Sequence, residues 1–414
     1  MRPFARKKGV IHGRRTALVQ PPPDAVVPRC EAFLLCGGCS LQELSLAAQR
    51  QAKEQLVLEG VEPPEHVVVH PIRGTDLEYG YRNKVELSFG VRRYLSDEQH
   101  EAGLPIDGVF LGFHAPGRFD RVVDRGRCEL VPEGTNEVLT ILREHLSRSA
   151  HAPWDVRNHT GFWKHAVLRE TSLGQRLVAI YTAEPQGDEA AELAAIARDL
   201  PVEAALWFVN AGVADAAIGE LRAQLKGGPT VEEALGEVRY ELSATAFFQT
   251  NTAAARVLYD CIGEAASAGA RLLDLYCGTG AIGLYLADRY EQVLGIELNP
   301  DAVDDARRNA LRSGREHVRI LCGKVEDTLP EPREGDVAIV DPPRVGLHPK
   351  AAAWLAQAPI QELVYVACHP ASLGRDRVIL EAGGWHMTDL WSVDLFPQTG
   401  HVEAIGRFVR PSDD

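Results

Sequence analysis

The hydrophobic pattern changes its period along the chain, and each change predicts a different element. Residues 20–40, "QPPPDAVVPRCEAFLLCGGCS", have no period, and their prolines and glycines predict irregular backbone. Residues 41–60, "LQELSLAAQRQAKEQLVLEG", carry Leu and Ala at helical spacing, which predicts a helix stopped at Gly60. From about 66 to 240 short segments such as "KVELSFGV", "VFLGFHA" and "EVRYELS" predict antiparallel strands, interrupted by helices at 133–148 and 188–199. Beyond about residue 244 strands and helices alternate. The strands fall at 271–277, 292–298, 318–323, 336–343, 362–368, 385–392 and 403–409. That alternation predicts a doubly wound, mostly parallel sheet. The chain is therefore expected to be α/β, with a Rossmann-like C-terminal domain (244–414). Ahead of it stand a smaller antiparallel β-rich middle domain (66–243), a linking helix (41–65) and an N-terminal segment (1–40).

Composition narrows the setting. At 414 residues, 45% hydrophobic and 25% charged, the chain is an ordinary globular protein long enough for more than one core. It has no run of about 18 apolar residues, so no membrane span is expected. The basic start "MRPFARKKGVIHGRR" lacks the apolar core of a secretory signal. A cytoplasmic monomer is expected. Eight cysteines in such a chain point to metal or catalytic use and away from a disulfide framework. A net charge of −14 is awkward for binding an anionic polymer, so any such contacts must be local. The first twenty residues hold six Lys/Arg (Arg2, Arg6, Lys7, Lys8, Arg14, Arg15) and no acid. Arg73, Arg82, Lys84, Arg92 and Arg93 make a second basic stretch, and "RFDRVVDRGR" a third.

Chemistry concentrates at the ends of the C-terminal strands. "LLDLYCGTGAIGL" places Gly278, Gly280 and Gly283 between a strand and a helix, and Glu297 ends the next strand. A carboxylate there accepts the hydroxyls of a ribose, which suits NAD and S-adenosylmethionine equally. Asp341-Pro342-Pro343 at the end of the fourth strand favours the second, because that motif marks methyl transfer to nucleobases and related planar groups. Arg344 stands where exocyclic-amine methyltransferases place an aromatic residue, and so argues against N-methylation. Cys368, ending the fifth strand, supplies what carbon 5 of a pyrimidine requires. A thiolate adds to C6, electron density at C5 takes the methyl, and a base then removes the C5 proton. Glu403 on the last strand is the expected base, with His401 on the same face as its orienter. Phe247 or Phe248 is a candidate to stack on a flipped base.

These stretches resemble the RNA uracil-5-methyltransferases, the group that contains the tRNA uridine-54 and 23S rRNA enzymes. The likeness covers residues 244–414 through "FFQTN", "LDLYCGTGAIGL", "GIELNP", "AIVDPPRVGL", "YVACHPASLGRD" and "FPQTGHVE". It extends to "GYRNKVELSFG" and "LGFHAPGRFDRVVDRGRCEL" in the middle domain. The resemblance implies that Gln249, Tyr276, Gly278, Gly280, Glu297 and Asp341 bind S-adenosylmethionine. It further implies that Cys368 attacks C6 and Glu403 takes the proton. This chain has His369 where the family usually has an asparagine. It also has only about twenty residues before its first cysteine-rich segment, too few for the N-terminal β-barrel RNA-binding module of most members.

Cys30, Cys36 and Cys39 form a C-x5-C-x2-C run, and Cys128 is the only other cysteine outside the C-terminal domain. Three clustered thiolates with one distant partner suit a 4Fe–4S cluster better than zinc, which favours two paired knuckles. The cluster-bearing branch of the family has this pattern, and 23S rRNA is favoured over tRNA as the substrate on that ground. Catalytically silent RNA binding and NAD-dependent oxidation are the competing readings. The first leaves the Cys368–Glu403 pair unused, and the second leaves Asp-Pro-Pro and the cysteine run without a role.

Overall fold

The computed structural model describes residues 2–7, 10–14 and 25–410, the first two stretches only as an antiparallel pair of backbone strands. In the C-terminal half the strands are β1 Gly269–Leu275, β2 Tyr290–Glu297, β3 Val318–Cys322, β4 Asp336–Val340, β5 Glu362–Ala367, β6 His386–Asp394 and β7 Glu403–Val409. They pair in the order β3-β2-β1-β4-β5-β7-β6. The first five are parallel, and β7 runs antiparallel to both neighbours. Side chains leave each strand alternately for two cores. Val337 and Ile339 of β4 join a core built with helices Thr252–Ala265, Ala281–Leu286 and Pro300–Arg312. Ala338 and Val340 join the opposite core with helices Pro349–Gln357 and Pro370–Ala382. Both faces are covered, which is why these strands read as unbroken apolar runs.

The linking helix spans Leu46–Val61 and docks on helix Pro370–Ala382. Its expected stop at Gly60 is corrected. The helix passes through Gly60 and ends at Glu62, whose backbone is left-handed at φ 49° and whose N–H returns to the Leu58 carbonyl. Gly60 serves contact: a Cβ there would lie 2.7 Å from Pro370 Cβ. Two short strands after the helix, Val68–Val69 and Arg73–Gly74, extend the large sheet beyond β6.

The middle domain is a seven-stranded sheet with Trp163–Glu170, Lys84–Arg92 and Arg176–Thr182 at its centre. Helices Glu133–Arg148 and Glu189–Asp199 cover one face. The expectation of uniformly antiparallel strands is corrected at one pair: Ala204–Val209 runs parallel to Arg176–Thr182. The helix Glu189–Asp199 between them is a crossover, and a crossover returns the chain in its original direction. A hairpin, Thr230–Leu235 with Val238–Ser243, then leads into the C-terminal half. Among the described residues no helix is long and apolar enough to cross a membrane.

Candidate active site

The site is built where β1, β2, β4, β5 and β7 present their ends to one cavity of ≈ 750 Å³. After β1 the chain turns through Tyr276, Gly278 and Gly280, all with positive φ (65°, 54° and 71°), before helix Ala281–Leu286 opens. The turn aims the Gly278 N–H at Glu297 Oε2 (3.0 Å), and Asn299 N–H holds Oε1 (2.7 Å). Each carboxylate oxygen keeps a lone pair for a ligand. Behind the turn lies Asp274, a buried carboxylate that the sequence pattern did not single out. Its Oδ2 accepts the Gly283 N–H at 2.9 Å, and a Cβ on Gly283 would sit 2.8 Å from that oxygen. The third glycine of the motif therefore exists for this close approach.

The "FFQTN" segment closes one side. Thr279 Oγ1 donates to the Phe247 carbonyl (3.1 Å), and Asn83 of the middle domain donates to the Gln249 carbonyl (3.0 Å). Phe248 is buried against Tyr240, whereas Phe247 is 66% exposed and lines the cavity. Both rings line the cavity, and Phe247 is the one whose ring is free of the core. Gln249, Tyr276, Gly278, Glu297 and Asp341 also line the cavity, while Gly280 lies behind it as the helix cap.

Strand register brings the remaining candidates together. In the antiparallel β5–β7 pair Ala367 faces Ala404, so one step further along sets Cys368 against Glu403. In the parallel β4–β5 pair Val340 faces Tyr365, which puts Asp341 on the neighbouring strand end. Cys368, Asp341, Arg344 and Glu403 line the same cavity. Burial raises the Cys368 thiol above 9, the Glu403 and Asp341 carboxylates add to the rise, and Arg344 opposes it. Burial lifts Glu403 to about 8, with Asp341 adding to it and Arg344 opposing. Burial likewise lifts Asp341 to about 7. The cavity thus holds acids that give up their protons near neutrality, the condition for a group that exchanges a proton there.

One expectation is corrected here. His401 lies ahead of β7, not on it, and is exposed, with its ring edge-on to Phe396; it does not share a strand face with Glu403. Arg82 and Lys84 are half-buried. Arg82 Nε donates to the Lys84 carbonyl (3.0 Å), and burial lowers Lys84 to about 8. Elsewhere in the basic stretches Arg73 pairs with Glu264 and Arg92 with Asp107. Arg125 pairs with Glu31, and Arg127 with Glu129 and Glu133. The side chains of the basic arm at residues 2–15 lie outside the described residues. His369, in the asparagine position, caps helix Pro370–Ala382 without a side-chain bond.

Away from this cavity, Cys30, Cys36, Cys39 and Cys128 line a second one of ≈ 220 Å³, walled mainly by apolar side chains. Burial raises all four thiols, Cys36 to about 11 and Cys39 to about 12. The Gly38 N–H donates to Cys36 Sγ at 3.4 Å. Among the described residues no three His, Cys, Asp or Glu are gathered closely enough to hold a single metal ion.

Comparison with known proteins agrees with this geometry. Residues 230–410 match the tRNA (uracil-5-)-methyltransferase family. An RNA methyltransferase of Porphyromonas gingivalis is 33% identical, with 99% of this chain and 92% of the relative aligned. One from Chlorobaculum tepidum is 33% identical over 98% of this chain and 87% of its own. Among solved structures, the Pyrococcus abyssi tRNA (uracil-54, C5)-methyltransferase in complex with S-adenosyl-L-homocysteine superposes with a TM-score of 0.77. It is 25% identical, and the match covers 98% of this chain and 91% of that one.

Proposed function

The chain belongs to the RNA (uracil-5-)-methyltransferase family, and from that premise we propose that it methylates carbon 5 of one uridine in RNA through a covalent adduct on Cys368. The observation that carries the reading is the register that sets Cys368 against Glu403 in a cavity that Glu297 also lines. S-adenosylmethionine, when bound, supplies a methyl group on a positively charged sulfur. Gln249, Tyr276, Gly278 and Glu297 hold it, Gly280 shapes the turn, and Glu297 takes the ribose hydroxyls. Asp341 and Glu403, which line the same cavity, would lie beside the sulfonium charge. Arg344 and that charge together favour the Cys368 thiolate.

The thiolate forms a bond to C6 of the flipped uracil, and the C5=C6 electron pair becomes an enolate. C5 then takes the methyl, and the sulfonium leaves as a neutral thioether. Glu403 accepts the C5 proton, the C5=C6 bond re-forms, and the Cys368–C6 bond breaks. Phe247 stacks on the extruded base.

Cys30, Cys36, Cys39 and Cys128 are assigned to a 4Fe–4S cluster with a structural role. What supports it is a single cavity lined by all four cysteines. Three clustered thiols with one distant partner suit a cage of four irons better than zinc, which favours two paired knuckles. We take the enzyme as a cytoplasmic monomer. Its substrate is placed first as 23S rRNA, on the cysteine pattern. The uridine-54 position of tRNA is the second reading, favoured by the Pyrococcus abyssi likeness.

The test is RNA carrying 5-fluorouridine, whose C5 fluorine cannot leave as a proton. Wild-type protein with S-adenosylmethionine should form a denaturation-stable adduct on Cys368, mapped by mass spectrometry. No adduct, or an adduct on another residue, overturns the mechanism. Mass mapping of rRNA and tRNA from a deletion strain names the nucleotide.

A further inference from the structure

Residues 395–402 join β6 to β7 and deliver Glu403 to the cavity. Four consecutive carbonyls of this loop are each caught by a different part of the chain. Leu395 O accepts from Asn251 Nδ2 at 2.9 Å, and Phe396 O from Lys53 Nζ at 2.9 Å. Pro397 O accepts from the Tyr81 hydroxyl at 2.8 Å. Gln398 O accepts two backbone N–H groups, Ser40 at 2.9 Å and Leu41 at 3.0 Å. Those two residues directly follow Cys39. Ser40 Oγ also accepts the Gly400 N–H at 3.1 Å.

Gln398 is the centre of this arrangement. It is 1% exposed, and its backbone is left-handed at φ 71°, a conformation that a residue with a Cβ adopts only when its surroundings enforce it. Gln49, on the linking helix, supplies that enforcement with both ends of its amide. Its Oε1 accepts the Gln398 N–H (2.7 Å), and its Nε2 donates to Gln398 Oε1 (3.0 Å). Gln398 Nε2 reaches Glu78 Oε2 at 3.2 Å. One turn along the helix, Lys53 pairs with Asp394 at the start of the loop, with both side chains buried.

We propose that Gln398 is a positioning residue through which the cysteine segment and the linking helix hold Glu403 in place for proton removal. The inference rests on the assignment of Glu403 as the base. A base must stand within hydrogen-bond reach of its proton, and small displacements cost much of the rate. Anything that shifts Cys39 moves Ser40 and Leu41, hence the Gln398 carbonyl, hence the strand start that carries Glu403. The integrity of the cysteine site is in this way read out at the elimination step, while the glycine turn and Glu297, which bind the body of the cofactor, are untouched.

Gln398→Gly keeps the left-handed backbone and the carbonyl that Ser40 and Leu41 use, but removes the side-chain bonds to Gln49 and Glu78. Gln49→Ala removes the same amide pair from the other side. Both variants should bind S-adenosylhomocysteine and RNA as the wild type does. Both should release methylated product on the order of 10- to 100-fold more slowly, so that an adduct accumulates on RNA with natural uridine. Gln55→Ala, exposed on the same helix, should release product at the wild-type rate. Hydrogen exchange provides a readout that needs no turnover. Alkylating Cys30, Cys36, Cys39 and Cys128 in the wild type should speed exchange at the amides of 398–400 and leave those of 271–275 protected. Wild-type release by Gln398→Gly and Gln49→Ala, or unchanged protection at 398–400 after alkylation, overturns the proposal. Failure of Glu403→Gln to accumulate adduct on RNA with natural uridine would instead remove the assignment of the base, and the exchange experiment would still judge the clamp.

Discussion

Half-buried cysteines line two separate cavities of this molecule, and burial raises the thiol in both, but the surroundings make opposite demands. Cys368 stands alone at a strand end, with two carboxylates that oppose its ionisation and one guanidinium that favours it. It opens on a large cavity that also contains the acids needed to move a proton. Cys30, Cys36, Cys39 and Cys128 face each other across a small cavity, and Cys36 and Cys39 are each pushed up further by charge on neighbouring thiols. Four thiolates cannot share that space without a positive centre among them. On the proposed function the first arrangement is a nucleophile held back until its ligand arrives, and the second is a ligand set. Residue type alone does not separate them, whereas the number and sign of the neighbours does.

The largest effect should follow from the lone thiol. Cys368→Ala should cost on the order of 10⁴-fold or more in methylation, because Cys277, the other thiol that lines the cavity, is buried and held protonated by its burial. Its affinity for S-adenosylhomocysteine should hold, since Glu297 and the glycine turn are intact. Turnover by the alanine variant within tenfold of the wild type, a margin of about 1.4 kcal/mol in the barrier, would make Cys368 a structural thiol and erase the contrast between the two sites.

Glu403→Gln comes next. The variant keeps the shape of the site but has no base, so C5 is methylated and the adduct persists. Release should slow by on the order of 10²- to 10⁴-fold, read as protein–RNA adduct on natural uridine after denaturation. Loss of cofactor binding with no adduct would assign Glu403 to structure.

Much of this site was legible in the sequence, and the reason is local. The seven C-terminal strands are short apolar runs punctuated by glycine, proline and polar residues, and β1, β2, β4, β5 and β7 each carry a residue that lines the cavity at or next to one end. What was not legible depends on contacts that no period encodes. Gln49 and Gln398 are 349 positions apart and bind only because the linking helix docks on the large sheet. Gly60 looked like a helix stop because glycine usually is one; here a neighbouring helix needs the space its missing Cβ leaves. His401 looked like a strand neighbour of Glu403 because two-residue spacing implies a shared face, but β7 begins only at Glu403. Asp274 was hidden among apolar neighbours on β1, where the meaning of its carboxylate comes from Gly283 folding back over it.

The cysteine cage should respond structurally where Cys368 responds chemically. Cys128→Ser removes the one ligand that the middle domain contributes, so iron should be lost and the segment at 25–45 should become accessible to protease. The C-terminal half should keep its affinity for S-adenosylhomocysteine. Iron retained at wild-type stoichiometry, or one zinc per chain in anaerobically purified wild type, would break the cluster assignment.

The smallest expected effect concerns charge in the active cavity. Without ligand, Glu403 releases its proton at about 8 instead of 4.5, and Asp341 at about 7 instead of 3.8. Both folded values lie above the unfolded ones. The stability these groups contribute is therefore fully present below about pH 4 and is lost as pH rises through 7 and 8. A cation placed beside them favours their ionised forms, so S-adenosylmethionine should bind with release of protons. Its affinity should rise between pH 6 and 8, by up to about tenfold per unit for each carboxyl that must ionise. S-adenosylhomocysteine has the same body and no sulfonium charge, so its affinity should change little over that range. Titration calorimetry of both compounds at pH 6, 7 and 8, in two buffers of different ionisation heat, counts the protons directly. The difference between them should shrink in Glu403→Gln, which leaves one carboxyl to ionise. Equal slopes for the two compounds would mean that the sulfonium does not lie beside Asp341 and Glu403, and that the methyl approaches Cys368 from another side of the cavity.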